Sequence, residues 1–358
     1  VILPCVLQKY VHQSQSLSAG EQEFVLRRKQ VVQKSLNKLG ITCTLDMVPH
    51  IALLGSGGGQ RAAVGLMGSL FQMEKDGLLD TVLYLGGVSG VTPQSFCFCF
   101  SVFVSGKWFE MTPHQAGFID VGLFINTTNL GSRIHGAGSD IKGPELDMVT
   151  LQGASISFSA RNTNSPKTKE CNNNNNFYLQ LNEKLLYCYL CFLEDASVPS
   201  CIRIKEFLQL IDAGVMINMP YPPFLGEKRD TDVLIALEYG ADETFRVRDY
   251  AAKLKKPFPK LEEKFLKEKD WPRPCYVFKG KKKEPTIVYM PLFNRQNCKA
   301  KMKEFSTFQL PFSQQKIEFL LETVKANMRY SKDTLLREIA KAVIRRHIKA
   351  SGGFPVSI

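Results

Sequence analysis

Ser89 stands in "TVLYLGGVSGVTPQSF" (81–96), where a β-branched, apolar run stops at Gly86 and Gly87 and Gly90 follows the hydroxyl. Small residues on both sides of a serine at a strand end let the backbone take strained angles that present Oγ above a sheet edge. That is the logic of a nucleophile elbow. A second cluster, "GSGGGQRAA", puts Gly55, Gly57, Gly58 and Gly59 between a predicted strand and a predicted helix. Backbone N–H groups there point outward near the positive end of a helix dipole, which suits an anion. Two nucleotide readings fail on spelling: Gln60 stands where a dinucleotide fingerprint needs glycine, and no Lys-Ser/Thr pair closes a P-loop. On neighbouring parallel strands the two turns would lie side by side, and amides of the first would stabilise the oxyanion formed when Ser89 attacks a carbonyl.

A nucleophilic serine needs a base, and His12, His50, His114, His135 and His347 show no catalytic spacing. "LIDAGVMINMPYPP" offers Asp212 at the end of an apolar strand, where a carboxylate would emerge at the same sheet edge. The same residues also read as a solvated turn aspartate. Arg61, one turn into the helix after the glycines, is a sensible anion clamp because guanidinium binds phosphate oxygens bidentately, and it reads equally as a surface helix arginine.

The elements that must hold these residues are legible in part. "SAGEQEFVLRRKQVVQKSLNKLG" spaces Val25, Leu26, Val31, Val32, Leu36 and Leu39 as an amphipathic helix ending at Gly40. "VPHIALLGSGGG" predicts a buried strand, "QRAAVGLMGSLFQMEKDG" a helix stopped at Gly77, and "TVLYLGGVS" a second strand, parallel to the first by a right-handed crossover. Periodicity is lost from about Gly131 to Ser200, where "SARNTNSPKTKECNNNNN" is polar and of low complexity. Beyond it come the strand and turn around Asp212, a buried strand in "TDVLIALEYGAD", a helix in "ETFRVRDYAAKLKK", two short strands around "KGKKKEP", and a basic helical end.

With 358 residues, 44% of them hydrophobic, the chain can bury a sizeable core. Its formal charge of +12 favours anionic partners, but the aromatic and basic signatures of nucleic-acid binding are absent. Ten cysteines without a repeating spacing and no secretory leader imply a reduced, cytosolic protein. The single CxxC, Cys188 to Cys191, lacks the second ligand pair of a zinc site. The most apolar stretches, 96–104 and 185–193, are about half the ~20 residues of a membrane-spanning helix.

Several segments, "LLGSGGGQRAAVGLMGSLFQMEKDGLLDTVLYLGGVSG", "WFEMTPHQAGF", "LIDAGVMINMPYP" and "PFPKLEEKFL…CYVFKG…VYMPLFN", resemble in order the catalytic domain of the cytosolic phospholipase A2 family, closest to the gamma-type (group IVC) members. The resemblance implies a patatin-like α/β fold with a mostly parallel central sheet flanked by helices. It implies one catalytic domain over 1–358, with a flexible or atypical insertion at 132–200. The activity it implies is hydrolysis of fatty-acyl esters of glycerophospholipids or lysophospholipids by a Ser–Asp dyad. Ser89 is then the nucleophile, Asp212 the base, Gly58 and Gly59 the oxyanion hole, and Arg61 the contact to substrate phosphate. No metal or other cofactor enters that chemistry. The implied partner is a phospholipid membrane surface rather than nucleic acid, and the implied setting is cytoplasmic, with peripheral association to intracellular membranes.

This chain departs from the family's pattern in three places. Val91 and Pro93 follow Ser89 where the family has Gly-Ser-Thr-Trp. Only 18 residues lie between Ser89 and Trp108, so a shortened cap is expected. The chain ends without a C-terminal prenylation cysteine. The shortening leaves a second reading, a catalytically inactive member acting as a lipid-surface or scaffold protein. Basic runs at Lys279 to Lys283 and around Arg345, Arg346 and Lys349 read as anionic-lipid contacts or as solvated faces.

Overall fold

Ser18 starts the first helix, its hydroxyl accepting from the Glu21 N–H at 3.2 Å, and α1 (Ala19–Lys38) then runs 20 residues. It stops as the sequence predicts: Gly40 takes φ +79°, the left-handed region that favours glycine, and the Ile41 N–H returns to the Leu36 carbonyl at 2.9 Å. Only part of the predicted apolar stripe turns inward. Val25, Val32 and Leu36 are buried, whereas Leu26 is 62% exposed and Val31 38%.

The computed structural model describes residues 11–57, 59–88, 97–104, 107–129, 210–213, 217–240, 271–281, 283–297 and 311–350, with scattered positions at 251–268 and 304–305. The predicted insertion at 132–200, most of the predicted helix "ETFRVRDYAAKLKK", and Gly58, Ser89, Val91, Pro93, Cys188 and Cys191 lie outside the described residues.

The predicted strand, helix, strand unit is present as β2 (Ile51–Gly55), α2 (Gly59–Lys75) and β3 (Tyr84–Val88), with β2 and β3 parallel. β9 (Val233–Glu238) lies parallel on the other side of β2, followed by β11 (Thr286–Pro291) and then antiparallel β10 (Tyr276–Phe278). β4 (Cys97–Val104) is parallel to β3, and an antiparallel wing extends the sheet through β5 (Lys107–Met111), β6 (Gln115–Phe118), β7 (Leu123–Asn126) and β1 (Val11–Gln13). β8 (Leu210–Asp212) pairs with β4. The eleven strands make one sheet whose centre is parallel.

β2 shows why its sequence reads as an unbroken apolar run. Ile51 and Leu53 join the cluster under α2, whereas Ala52 and Leu54 join the cluster on the opposite face, so the strand is buried on both sides. The basic end of the chain forms α3 (Gln314–Ala350), which lies along α2. Gly68 permits that contact, since a Cβ there would fall 2.3 Å from Val324 Cγ2.

Eight residues separate Val88, the end of β3, from Cys97, the start of β4, and the turn expected at Ser89 lies among them, outside the described residues.

Candidate active site

β2, β3 and β9 end together. Gly55 is registered on Gly87 on one side and on Leu237 on the other, so the segments after all three strands share one carboxyl edge, where open α/β sheets place ligands. The first glycine turn is anchored there. The Ser56 N–H donates to the Leu237 carbonyl at 3.0 Å and the Gly57 N–H to the Asn218 carbonyl at 3.1 Å. Ser56 Oγ accepts from the N–H groups of Tyr239 (2.6 Å) and Gly240 (3.2 Å). The amides of Ser56 and Gly57 are thus committed to holding the turn, and next in the chain come Gly58 and Gly59. Gly59 opens α2 at φ +67°, a conformation that favours glycine.

The strands carrying Ser89 and Asp212 meet on β4. Val88 is registered on Ser101 and Asp212 on Val102, which are consecutive residues of β4. β5 also pairs with 100–104, and a strand has only two edges, so β3 and β8 must occupy the same one. The two strands therefore abut end to end, at levels one residue rise apart, about 3.3 Å. Ser89 is joined to Val88 by a single peptide. The segment beyond Asp212 crosses under β3, where a Cβ on Gly86 would lie 2.6 Å from the Phe224 ring, so glycine permits that close approach.

Arg61 sits in the first turn of α2 and is 4% exposed. One of its five N–H donors, on Nη1, goes to the Phe305 carbonyl at 2.8 Å. Burial pulls the guanidinium below its ordinary pKa, and the Glu238 carboxylate acts in the opposite direction. Glu238 ends β9 at this same edge, is buried, and accepts from the Gly240 N–H at 2.6 Å. The sequence reading did not single it out. Its signal was available, a carboxylate closing the buried run "TDVLIALE" on a strand next to the glycine turn.

A second group escaped sequence reading for lack of any local pattern. Arg229 is buried between Glu21 and Glu110, with Nε to Glu21 Oε1 and Nη1 to Glu110 Oε2, both at 2.8 Å. Lys228 adds a bond to Glu110 Oε1 at 2.9 Å, and Arg229 Nη1 also donates to the Pro223 carbonyl at 2.8 Å. Burial alone would raise the Glu110 carboxyl, but Arg229 and Lys228 hold it down at about 2. The network ties α1 and β5 to the segment that leaves Asp212.

Of the histidines whose side chains are described, His50 precedes β2 and His347 lies in the last turns of α3, both toward the amino-terminal ends of the parallel strands, and His114 lies in the β5–β6 turn. The basic run around Arg346 needs a correction too. Arg346 Nε donates to Asp232 Oδ2 at 2.8 Å and Nη1 to Asp230 Oδ2 at 2.6 Å, Arg345 Nη1 donates to Thr286 Oγ1 at 2.7 Å, and Lys349 Nζ donates to Asp230 Oδ1 at 3.2 Å. Those cations fasten the fold rather than face a lipid. At the other basic run, Lys283 pairs with Glu227.

Among the described residues no group of three His, Cys, Asp or Glu is placed to hold a metal ion, and no helix is long and apolar enough to cross a membrane.

No protein-family profile matches the chain. It is 23% identical to human cytosolic phospholipase A2 gamma over 518 aligned positions, which cover 90% of this chain and 94% of that protein. That alignment exceeds the chain's own 358 residues, so it opens gaps of at least 160 positions in this chain. A 79-residue stretch is 60% identical to human cytosolic phospholipase A2 zeta, covering 21% of this chain and 9% of that protein. In fold, the chain matches human GIVD cytosolic phospholipase A2 with a TM-score of 0.72 at 17% identity, over 93% of this chain and 68% of that one. The same enzyme solved with methyl gamma-linolenyl fluorophosphonate matches at 0.70 and 18%, over 94% of this chain and 66% of that one. The chain thus spans about two thirds of the length of the solved structures it resembles.

Proposed function

We propose that this chain, a relative of the group IV cytosolic phospholipases A2 with the gamma type among its matches, is a serine acyl hydrolase that cleaves fatty-acyl esters of glycerophospholipids or lysophospholipids. Ser89 is its nucleophile and Asp212 its base. The observation that carries this reading is the register on β4: the strand delivering Ser89 and the strand delivering Asp212 abut on one edge, beside the glycine turn that ends β2.

Asp212 accepts the Oγ proton as Ser89 attacks the ester carbonyl, and the amides of Gly58 and Gly59 receive the developing oxyanion at the start of α2. Collapse to an acyl-serine expels the alcohol, which takes the proton from Asp212. Water then attacks the acyl-serine, losing its proton to Asp212, and frees the fatty acid. Arg61 meets the substrate phosphate, a charge-assisted contact that orients the ester. A carboxylate base in place of histidine is what the resemblance to the family implies. One domain over 1–358 performs this chemistry at the cytoplasmic face of a phospholipid membrane, without metal or cofactor. The relative solved with a fluorophosphonate supports a serine-type site in such a fold.

Phosphatidylcholine and lysophosphatidylcholine vesicles, with and without chelator, test the reading. Fatty acid released by the wild type in both conditions and by neither Ser89→Ala nor Asp212→Asn supports it. Release that survives Ser89→Ala refutes it. One observation favours the second reading of an inactive lipid-surface protein, namely the gaps of at least 160 positions opened against the gamma-type relative. A folded wild type that binds vesicles and releases nothing decides for that reading.

A further inference from the structure

The chain has two tryptophans, and the fold treats them oppositely. Trp108 on β5 is fully buried, whereas Trp271 is 54% exposed. Register fixes where Trp271 lies. Tyr276 of β10 is level with Tyr289, Tyr289 with Ala236, and Ala236 with Leu54 of β2. β10 runs antiparallel to these strands, so the residues just before Tyr276 extend past the carboxyl ends of β11, β9 and β2. The Arg295 N–H, on the segment that leaves β11, bonds the Pro272 carbonyl there at 2.8 Å. Trp271, Arg273 and Arg295 thus share the sheet edge of the candidate site, four strand spacings or about 19 Å from β3.

Among the described residues positive charge predominates around Trp271. Arg273 binds Glu268 through Nε at 3.0 Å and Nη2 at 2.7 Å, and Arg295 Nη2 stands 4.0 Å from the same carboxylate. One carboxylate faces two guanidiniums, both half-exposed, and Lys267 beside it is exposed. Next to Arg295, Gln296 Nε2 donates at 2.8 Å to the hydroxyl of Tyr330, a second large exposed aromatic residue.

Resting on the phospholipid reading above, we propose that Trp271, Arg273 and Arg295 form the surface by which this protein docks on an anionic phospholipid bilayer. An indole has an apolar body and a polar N–H, and it settles at headgroup depth. Guanidinium forks bind phosphate oxygens bidentately, and the local excess of positive charge matches an anionic leaflet. Sharing an edge with the candidate site, this surface brings the strand ends of β2 and β3 toward the lipid that would be cleaved.

Because Trp108 is buried away from any vesicle, a vesicle-induced change in intrinsic fluorescence reports on Trp271. The chain carrying Ser89→Ala, which consumes no lipid, is titrated with phosphatidylcholine vesicles with or without phosphatidylserine, some bearing a brominated acyl chain. The expected result is a blue shift and bromine quenching with the anionic vesicles, both absent after Trp271→Phe. In sedimentation Trp271→Ala binds about tenfold more weakly, and Arg273→Gln and Arg295→Gln about fivefold each. Trp271 emission that ignores every vesicle, or unchanged sedimentation of Trp271→Ala, overturns the proposal and leaves this surface to a protein partner. Hydrolysis of a monomeric, water-soluble ester separates the two readings. Wild type and Trp271→Ala cleave it equally if both hold, and vesicle binding without any cleavage removes the hydrolase reading alone.

Discussion

At the amino-terminal ends of β2, β9 and β11, Arg345, Arg346 and Lys349 of α3 close onto Asp230, Asp232 and Thr286. The His50 N–H donates to Asp232 Oδ2 at 2.8 Å, and its Nδ1 lies 2.8 Å from the Arg229 carbonyl. At the carboxyl ends β2 and β3 finish at or beside glycines, Gly55, Gly57, Gly59 and Gly87, while β9 ends in the buried Glu238. The first edge is held by charge-assisted bonds between side chains. The second is held by backbone donors, Ser56 to Leu237, Gly57 to Asn218, and the N–H groups of Tyr239 and Gly240 to Ser56 Oγ. On the proposed function, stability and chemistry are divided between opposite ends of the same strands.

The sharpest way to break this comparison is to remove the nucleophile. Ser89→Ala should lower ester hydrolysis by about four orders of magnitude or more and leave the melting temperature unchanged, measured by fatty-acid release and by calorimetry. Asp212→Asn should do the same. A large fall in stability with either variant would mean that the carboxyl edge also holds the fold.

Arg229→Ala comes next. It strands Glu21 as a buried carboxylate without its cation and leaves Glu110 to Lys228, and should cost about 3–5 kcal/mol in denaturant unfolding. Arg229→Met with Glu21→Leu should recover most of that loss, because the carboxylate left without a cation goes with the guanidinium and Glu110 keeps Lys228.

Acid should dissect the two ends. Burial, with Arg346 and Lys29 nearby, lowers His50 to about 4, so the unfolded state binds the proton first and stability falls as pH drops from about 6.5 toward 4. Glu110 is held at about 2, so its contribution is complete above the ordinary glutamate pKa and is lost as pH falls from about 4.5 to 2. Each step is of order 3 kcal/mol at most. Unfolding followed against pH should show both, and His50→Gln should erase the upper one alone.

The smallest effect belongs to the clasp of α3. Arg346→Ala should cost about 1–3 kcal/mol, as expected for charge-assisted bonds in a largely covered site, and should leave hydrolysis of a monomeric ester unchanged.

Local pattern carried the sequence reading where an element is buried on both faces or bounded by glycine. The β2–α2–β3 unit, β9, the β10–β11 pair and α3 all follow from such signals. β4 did not, because "FCFCFSVFV" is apolar throughout and its strand character depends on neighbours far along the chain. Leu26 and Val31 misled for the opposite reason, since hydrophobic spacing does not say which apolar side chains find a partner. The Glu21–Arg229–Glu110 network joins residues 208 and 119 positions apart, and no window of sequence contains it. At the candidate site the sequence supplied residue types, and the register adds that β8, which ends at Asp212, abuts β3 on β4, a long-range pairing that no local pattern contains.

A fluorophosphonate bearing a fatty-acyl-like chain, incubated with the folded protein and followed by peptide mass mapping, tests the convergence of Ser89 and Asp212 most directly. One adduct on Ser89, formed by the wild type and lost in Asp212→Asn although Ser89 is still present, is the predicted result. An adduct on another residue, or labelling of Ser89 that is indifferent to Asp212, would contradict it.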